Sequence, residues 1–346
     1  MLNSDRCYPG DEQGREMTKS LVTGANGFVG SAVTRCLLDA GHEVRCLVRP
    51  GSDRRNLDAL PVEMLEGDLR SAPSLKQAVA GCDSLFHVAA DYRLWVPDPQ
   101  RMYEINVGGT QALILVAAEA GVKRMVYTSS VATLGTSING VPADEDTPSS
   151  LLAMTGHYKR SKFMAEQVVT RITHEYKLPL VIVNPSTPIG PRDIKPTPTG
   201  RIVVDTLCDR MPAYVNTGLN IAHADDIAHG HLLAHAHGIP GERYILGGEN
   251  MTLLQILQAI DRIRGRRMRR FNIPVGLVLP IAWLMEKRAM VTQIEPRATL
   301  DSVRMARKTM FYSSEKAVRE LGYRYRPAMD ALEDAMNWFQ ANGYCG

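Results

Sequence analysis

The sequence predicts an α/β protein, with a Rossmann-type doubly wound parallel sheet and a smaller C-terminal substrate-binding lobe. Short β-type runs alternate with helical patterns over residues 20–186, an order that favours a parallel sheet covered by helices on both faces. The stretch LVTGANGFVGS places three glycines between the first strand and the first helix. After about Pro188 the alternation gives way to proline- and glycine-rich sequence, which marks a boundary or an active-site loop.

The predicted elements follow one another without an internal repeat. The predicted strands are SLVTG, HEVRCLVR, the run that ends in EGDL, SLFHVAA, RMVYTSS and PLVIVNPS. The predicted helices begin at about residue 29, then cover 74–80 and 106–120, and the last begins with GHYKRSKFMAEQ. The period of apolar residues changes between these segments, and this change separates strands from helices.

The same pattern predicts how the chain is divided into domains. Residues 1–19 mix glycine, proline and charge and lack the apolar core of a signal peptide, so we expect a flexible N-terminal extension. Residues 20–187 form the expected dinucleotide-binding Rossmann domain, to which the chain returns at about 221–248. The expected substrate-binding lobe consists of residues 188–220 and 249–346.

Composition limits the classes of partner. The 346 residues are 45% hydrophobic and 22% charged, as in ordinary globular proteins, and the net charge of +3 is too small to indicate a nucleic-acid partner. A small-molecule substrate is expected instead. The longest apolar run, 273–285, contains proline and glycine and is shorter than the roughly 20 residues of a membrane span, which leaves at most peripheral membrane contact. Six cysteines without a CxxC pair predict reduced thiols in a cytoplasmic protein.

The three glycines predict a dinucleotide-binding turn. Glycine permits a tight turn and a close approach of the backbone to a pyrophosphate, whose charge is met by the N-terminal amides of the following helix. A merely flexible turn is the alternative. The residues that we expect to contact the cofactor here are Gly24, Asn26, Gly27, Phe28, Val29 and Gly30.

The second strand ends in CLVRPGSDRRN, where an NAD-preferring site offers Asp or Glu to the ribose hydroxyls. Arg49 stands there instead, and Ser52, Arg54 and Arg55 follow closely. A guanidinium suits a phosphate, so the sequence predicts the 2'-phosphate of NADP, with NAD still possible and a solvated basic loop as the alternative. Asp68, at the end of the third strand, can accept from the adenine amino group or cap the next helix.

The last predicted helix carries a candidate acid–base pair. Tyr158 and Lys162 begin a helical stripe that continues through Ala165, Val169, Ile172 and Tyr176, so the lysine points inward. Hydride transfer between a carbinol and nicotinamide needs a proton at oxygen, which a phenol supplies if its pKa falls from about 10 toward neutrality. We expect Lys162 to lower the pKa of Tyr158 and to hold the nicotinamide ribose. The candidate neutral donors to the substrate oxygen are Thr128, Ser129 and Ser130.

Together, the glycine turn, Ser130 and the YKRSK segment resemble the extended short-chain dehydrogenase/reductase superfamily over residues 20–344. The resemblance selects Ser130, before VATLG, as the catalytic hydroxyl, places Tyr158 and Lys162 in the catalytic pair, and adds Asn106 of INVGGT. It also implies that further cofactor contacts come from Leu69, Ala89, Ala90, Pro185, Ser186 and Thr187.

A narrower resemblance rests on FHVAADYRLW, NPSTPIGPRDIKPTPTGR, MPAYVNTGLN and GERYILGGEN. These stretches are similar to the hopanoid-associated sugar epimerase family, itself similar to dihydroflavonol 4-reductases. The resemblance implies a nicotinamide cofactor, two lobes, a homodimer and a place in hopanoid lipid metabolism. The candidate substrate contacts are Asp91, Tyr92, Trp95 and Arg201, with packing between lobes as the alternative for the first three.

One departure from the superfamily reduces the number of possible reactions. Nucleotide-sugar dehydratases place an Asp-Glu pair directly after the catalytic hydroxyl, whereas this sequence has Val131 and Ala132. We therefore expect an NADP-dependent oxidoreductase that acts on a carbonyl or carbinol of a sugar-like or polyol substrate, with Tyr158 as general acid/base. The alternatives are a sugar epimerase with a tightly held cofactor and a non-catalytic NADP-binding regulator.

Two further patterns are interpreted as structural features rather than as functional sites. His231 and His235 have the spacing of a metal pair, but no third ligand is evident, and we expect an amphipathic helix capped by Asp225 or Asp226 and no metal site. The segment RIRGRRMRR holds six arginines between residues 262 and 270. It can attract anionic lipid or a substrate phosphate, but a solvated surface is favoured.

Overall fold

A computed structural model describes residues 18–93, 95–96, 98–137, 139–292, 296 and 298–345. All but the last two residues of the expected N-terminal extension, including Cys7, lie outside the described residues. The first part of the chain contains β1 (Lys19–Thr23), α1 (Phe28–Asp39), β2 (Glu43–Val48), β3 (Glu63–Glu66), α2 (Ala72–Val79), β4 (Ser84–His87), α3 (Pro99–Tyr103), α4 (Thr110–Glu119), β5 (Arg124–Thr128), α5 (Gly156–Tyr176) and β6 (Leu180–Pro185).

The rest of the chain adds shorter strands and more helices. They are β7 (Thr187–Ile189), α6 (Pro198–Leu207), β8 (Ala213–Tyr214), β9 (Gly218–His223), α7 (Ala224–His237), β10 (Arg243–Leu246), β11 (Glu249–Thr252), α8 (Leu253–Ile263), β12 (Phe271–Asn272), α9 (Val275–Thr292), α10 (Leu300–Met305), β13 (Thr309–Met310), α11 (Glu315–Leu321) and α12 (Ala328–Ala341). A π-helix (Glu104–Gly109) precedes α4, and short 3-10 helices span Val131–Thr133 and Leu151–Ala153.

Seven parallel strands form the main sheet, in the order β10-β6-β5-β4-β1-β2-β3. One face packs against α1 and α7 and the other against α2, α4 and α5, so both faces are buried. Every residue of β4 and β6 is buried, as near-continuous apolar runs predict for a sheet covered on both sides. The predicted fold class is therefore confirmed. The strand order reverses between β1 and β4, and ligands bind at such a crevice in open α/β sheets.

A smaller sheet lies in the second half of the chain. Strands β11, β9 and β13 are neighbours and β7 also pairs with β9, while α6, α8 and α12 contribute to its apolar core. A disulfide joins Cys208, just after α6, to Cys345, with the Cα atoms 5.7 Å apart. The expectation of reduced thiols is therefore wrong for this pair, because the fold brings together two cysteines that the sequence separates by 137 residues. Cys36, Cys46 and Cys82 are free thiols.

Most of the histidine-rich segment forms helix α7. His223 caps it by accepting from the amide of Asp225 at 3.0 Å, so the expected cap by Asp225 or Asp226 is wrong. Those two carboxylates pair instead with Arg192 and Arg326. Among the described residues, none of the helices combines the length and apolarity needed to cross a bilayer.

Two histidines, the fully buried His231 and the half-buried His235, lie next to the central strands. His231 donates to the carbonyl of Ile227 at 2.7 Å and is hydrogen-bonded to Thr128 at 2.9 Å, and His235 is hydrogen-bonded to Ser84 at 2.7 Å. On the other face, His87 is held between two threonine hydroxyls at 2.7 and 2.8 Å. Burial lowers the pKa of His87 to about 3, with a contribution from the charge of Lys162, and burial lowers the pKa of His231 to about 4.

These lowered pKa values predict acid sensitivity. A histidine whose folded pKa lies below its unfolded value of about 6.5 contributes stability above that pH, and this stability is lost as pH falls through 6.5 toward the folded value. We expect the free energy of unfolding to fall by about 2 kcal/mol for each of His87 and His231 between pH 7 and pH 5. Urea denaturation at several pH values measures this loss, and His231→Asn should flatten the profile. An unchanged slope in that variant would contradict the assignment.

Candidate active site

The glycine turn has the geometry of a backbone cradle. Gly24 has φ +70°, and a Cβ there would lie 2.7 Å from the Cα of Ala89, just after β4. A Cβ on Gly30 would lie 2.0 Å from the Gly24 carbonyl oxygen. No side chain caps α1, whose N-cap is Gly27, so the amides of its first turn are available to an anion.

The loop after β2 contains one arginine that differs from its neighbours. Arg54 pairs with Glu66, and Arg55 makes a bidentate contact with Asp53, with the closest atoms 2.6 Å apart. Arg49, by contrast, is exposed and has no hydrogen-bond or ion-pair partner for its guanidinium among the described residues. Of the three arginines expected at a 2'-phosphate, Arg49 is therefore the one whose donors are free.

Asp68 is held by a neighbour in the chain. Its carboxylate accepts two hydrogen bonds from the Arg70 guanidinium, at 2.8 and 3.0 Å, and these lower the pKa of Asp68 to about 2. It also accepts from the Arg70 amide at 2.9 Å, while the N-cap of α2 is Ser71. The alternative that Asp68 caps the following helix is wrong, because its carboxylate closes a turn before that helix begins.

The ends of β5 and the start of α5 bring the candidate acid–base residues together. Ser130 lies close enough to Tyr158 for its hydroxyl to lower the pKa of the phenol, and Ser130 also caps the 3-10 helix after β5 by accepting from the amide of Ala132 at 3.1 Å. The hydroxyl of Thr128 turns to the opposite face of the sheet, where it bonds to His231. The geometry therefore favours Ser130 over Thr128 as the partner of Tyr158.

Lys162 is 2% exposed, and its ammonium group has fixed partners. Its Nζ donates to the carbonyl of Thr128 at 2.7 Å and to the hydroxyl of Tyr127 at 3.1 Å. Burial lowers the pKa of Lys162 to about 7, although the charge of Glu166 acts in the opposite direction. The predicted inward stripe of α5 is otherwise correct through Ile172, but Tyr176, the last residue of the helix, is 56% exposed.

The pKa of Tyr158 differs from the expectation. Burial raises the pKa of Tyr158, and the nearby Ser130 hydroxyl offsets this only in part. The predicted lowering by Lys162 is therefore not observed, since the ammonium group is directed to Tyr127 and Thr128 rather than to Tyr158. In this arrangement Tyr158 is a protonated phenol near neutral pH, suited to donating a proton.

A buried carboxylate supports the same helix and was not identified from the sequence. Glu166 accepts from Thr133 and from Asn184, each at 2.8 Å, and pairs with Arg243 at 3.1 Å. It is 2% exposed and follows Lys162 by one helical turn. That spacing of four was the available signal, because charges at such positions of a helix are neighbours.

Asn106 lies in the π-helix, a distortion that is frequent at functional sites. Its side-chain amide donates to the carbonyl of Asp91 at 2.9 Å and to the Ser161 hydroxyl at 3.0 Å, and its oxygen accepts from the Asp91 amide at 2.7 Å. Asn106 therefore connects the loop after β4 to the residue before Lys162. In this structure it contacts neither Lys162 nor Tyr158 through a hydrogen bond.

The other candidate residues lie in several loops and elements of the fold. Ser186, between β6 and β7, is buried, and its hydroxyl has no hydrogen-bond partner among the described residues. Asp91 pairs with Arg93, Tyr92 is 43% exposed, and Trp95 is half-buried. Arg201 lies in the first turn of α6. Of the expected cofactor residues, Leu69 follows β3, and Ala89 and Ala90 follow β4. Pro185 is the last residue of β6, and Thr187 is the first residue of β7.

These features fit a nicotinamide dinucleotide. The cradle at Gly24 and Gly30 excludes side chains, the first turn of α1 offers uncapped amides, and the unpartnered Ser186 hydroxyl can bond a polar group in the crevice. Gly24, Gly27 and Gly30 would hold the pyrophosphate, and Lys162 and Ser186 would lie toward the nicotinamide end.

Comparisons with known proteins agree with this geometry. The model of the NAD dependent epimerase/dehydratase family matches residues 20–247. A Synechocystis sp. protein named for dihydroflavonol 4-reductase is 45% identical over 327 residues, which are 93% of this chain and 95% of that protein. Sterol demethylase protein B of Methylococcus capsulatus is 35% identical over 94% of this chain and 99% of its own length.

A solved structure extends the similarity to nearly the whole chain. The crystal structure of gox2253 is 51% identical and superposes with a TM-score of 0.85, covering 96% of this chain and 100% of that one. The similarity therefore covers both lobes of the fold. The protein belongs to the NAD dependent epimerase/dehydratase family, the extended short-chain dehydrogenase/reductases, and its cofactor is a nicotinamide dinucleotide.

Proposed function

We propose that the protein is an NADP(H)-dependent reductase that acts on a carbonyl group of a sugar-like or polyol substrate, and on the corresponding carbinol in reverse. The observation that carries the proposal is the placement of Tyr158 beside Ser130, one helical turn from the buried Lys162. These residues lie at the carboxyl end of β5, beside the crevice that fits the cofactor.

The residues divide the chemistry of reduction between them. When bound, the reduced nicotinamide supplies the hydride that adds to the carbonyl carbon. Tyr158 gives its phenolic proton to the oxygen as negative charge develops there, and it regains a proton from solvent after product leaves. Ser130 donates a hydrogen bond to the same oxygen and fixes its position relative to the phenol. Lys162 ties α5 to the end of β5 through Thr128 and Tyr127.

The choice of NADP rests on the loop after β2. The strand ends at Val48 and is followed by the exposed Arg49, at the place where NAD-specific sites carry a carboxylate. Its guanidinium is free to form charge-assisted hydrogen bonds with a 2'-phosphate.

Epimerisation within the same family is the second candidate. An epimerase needs the tyrosine first as a base and then as an acid, and it must keep its cofactor between the two steps. The raised pKa of Tyr158 favours the acid role, and exposed contacts such as that of Arg49 suit a cofactor that exchanges. The Synechocystis relative is named for a reductase, which supports the same direction. Hopanoid lipid metabolism is the setting that the sequence resemblance supports.

Purification without added nucleotide tests the proposal. After denaturation, released dinucleotide is assayed against protein, and NADPH absorbance is followed with a panel of ketones and aldehydes. We expect little retained cofactor and net consumption of NADPH. Stoichiometric retained dinucleotide with an isomerised substrate would establish the epimerase, and binding without turnover over a broad panel would establish the regulator.

A further inference from the structure

Helix α9 has the reverse of the usual amphipathic arrangement. The positions turned toward the protein are occupied by Ala282 and Ala289, which are 0% and 2% exposed. Its outward stripe, at helical spacing, contains large apolar side chains that are mostly exposed: Leu277 at 65%, Ile281 at 54%, Leu284 at 64% and Val291 at 85%. In water such an arrangement leaves the apolar side of the helix without cover.

The exposed surface continues beyond this stripe. Trp283 is 52% exposed, Met290 is 56% exposed, and Phe271 in the preceding β12 is 73% exposed. We call the set the apolar face: Phe271, Leu277, Ile281, Trp283, Leu284, Met290 and Val291. Isolated apolar residues are ordinary on a protein surface, whereas seven exposed ones, six of them on one helix, indicate an interaction site.

Positive charge adjoins the apolar face. Within the arginine segment 262–270, Arg264 and Arg266 pair with Asp209, and Arg270 pairs with the buried Asp261. The other three are exposed and have no ion-pair partner among the described residues: Arg262, Arg267 and Arg269. In α9 itself, Lys287 and Arg288 are exposed, and the Lys287 ammonium lies 5.8 Å from the centre of the Trp283 ring. The positive charge of the arginine segment 262–270, for which the sequence favours a solvated surface, is therefore only partly neutralised.

We propose that α9 and the arginine segment 262–270 form a docking surface for an anionic lipid bilayer. A helix that lies in the plane of the membrane buries apolar side chains among the acyl chains while neighbouring cations bind lipid phosphates. The 18 residues of α9 include Pro280 and three charged residues, so the helix lies on the bilayer and does not cross it. A second copy of the chain fits this surface less well, because it would bring two sets of unpaired arginines together.

The docking surface is connected to the candidate active site by direct contacts. Glu286 of α9 accepts from the amide of Leu300, at the start of α10, at 2.7 Å. The next residue, Asp301, lies against Gly156, where a Cβ would be 2.7 Å from its carboxylate oxygen. Gly156 begins α5, two residues before Tyr158. If the proposed function holds, a carbonyl group carried on a membrane lipid is the substrate that this placement suits.

Vesicle flotation of the full-length protein tests the docking. The probes are vesicles of phosphatidylcholine alone and of phosphatidylcholine mixed with phosphatidylglycerol. We expect binding to the mixed vesicles and a loss of at least about tenfold in partitioning for Leu277→Ser/Leu284→Ser, since both side chains leave the acyl region. The matched control is Val141→Ser/Val318→Ser, because these exposed apolar residues lie outside the apolar face. Thermal unfolding of each variant verifies that it is folded.

The charge contribution is tested separately. Arg267→Gln/Arg269→Gln should weaken binding about twenty-five-fold, because each cation near an anionic surface contributes about fivefold, and added salt should have a similar effect. The control is Lys76→Gln/Arg171→Gln. Equal binding of wild type and both surface variants, or a dimer that Leu277→Ser/Leu284→Ser dissociates while vesicles remain unbound, would overturn the proposal. These readouts need no turnover, so they are independent of the proposed reaction.

Discussion

Tyr158→Phe is expected to lower kcat by about 10²- to 10⁴-fold, the usual contribution of a positioned general acid, and to leave cofactor affinity within about twofold. The substitution removes only the phenolic oxygen beside Ser130 and keeps the half-buried ring. Steady-state rates and fluorescence titration of NADPH measure the two quantities. Tyr176→Phe, on the exposed end of the same helix, is the matched control and should behave as wild type.

Lys162→Met provides a comparison for Tyr158→Phe, because it removes a residue that holds the surrounding structure as well as lying near the phenol. The buried ammonium group holds the end of β5 through Thr128 and Tyr127, so its removal should lower both kcat and cofactor affinity. A Tyr158→Phe variant that retains most of its activity would show that the Tyr158–Lys162 stripe is structural.

Arg49→Ala is expected to weaken NADP binding about 10- to 100-fold, as the loss of charge-assisted hydrogen bonds predicts, and NAD binding by less than about twofold. The reason is that Arg49 has no ion-pair partner among the described residues and the 2'-phosphate would be the group it binds. Isothermal titration with each cofactor measures the difference.

Arg55→Ala is the matched control, since its guanidinium is already held by Asp53. It should change the NADP affinity much less than Arg49→Ala. Equal losses for NADP and NAD in the Arg49 variant would contradict the assignment of the phosphate site.

The Rossmann half of the fold could be predicted because its signals are local. Strands such as β6 are continuous apolar runs, and the inward stripe of α5 repeats at helical spacing, so each can be recognised without knowing its neighbours. The sheet of β7, β9, β11 and β13 could not be predicted, because those strands are two to six residues long and pair only through the tertiary fold. The Cys208–Cys345 disulfide depends on the same long-range arrangement.

The candidate site, like the fold, could be predicted only where its signals are local in the sequence. Tyr158 and Lys162 follow from helix positions and Ser130 from the resemblance to the superfamily. The buried position of Glu166 instead depends on Asn184 and Arg243, which come from distant segments. The pKa of Tyr158 could not be inferred from its spacing to Lys162, since burial and the direction of the ammonium group decide it. The pairing of Arg54 and Arg55, which leaves Arg49 free, likewise depends on where Glu66 and Asp53 lie.

The most direct measurement of net reduction at this site uses NADPH deuterated at the nicotinamide C4 position, with a ketone that the enzyme consumes. Mass spectrometry and absorbance follow the organic product and the cofactor together. We predict that deuterium enters the product at the former carbonyl carbon and that NADP forms in equal amount, with neither change in Tyr158→Phe. An unlabelled isomer of the substrate, formed while NADPH stays constant, would contradict net reduction.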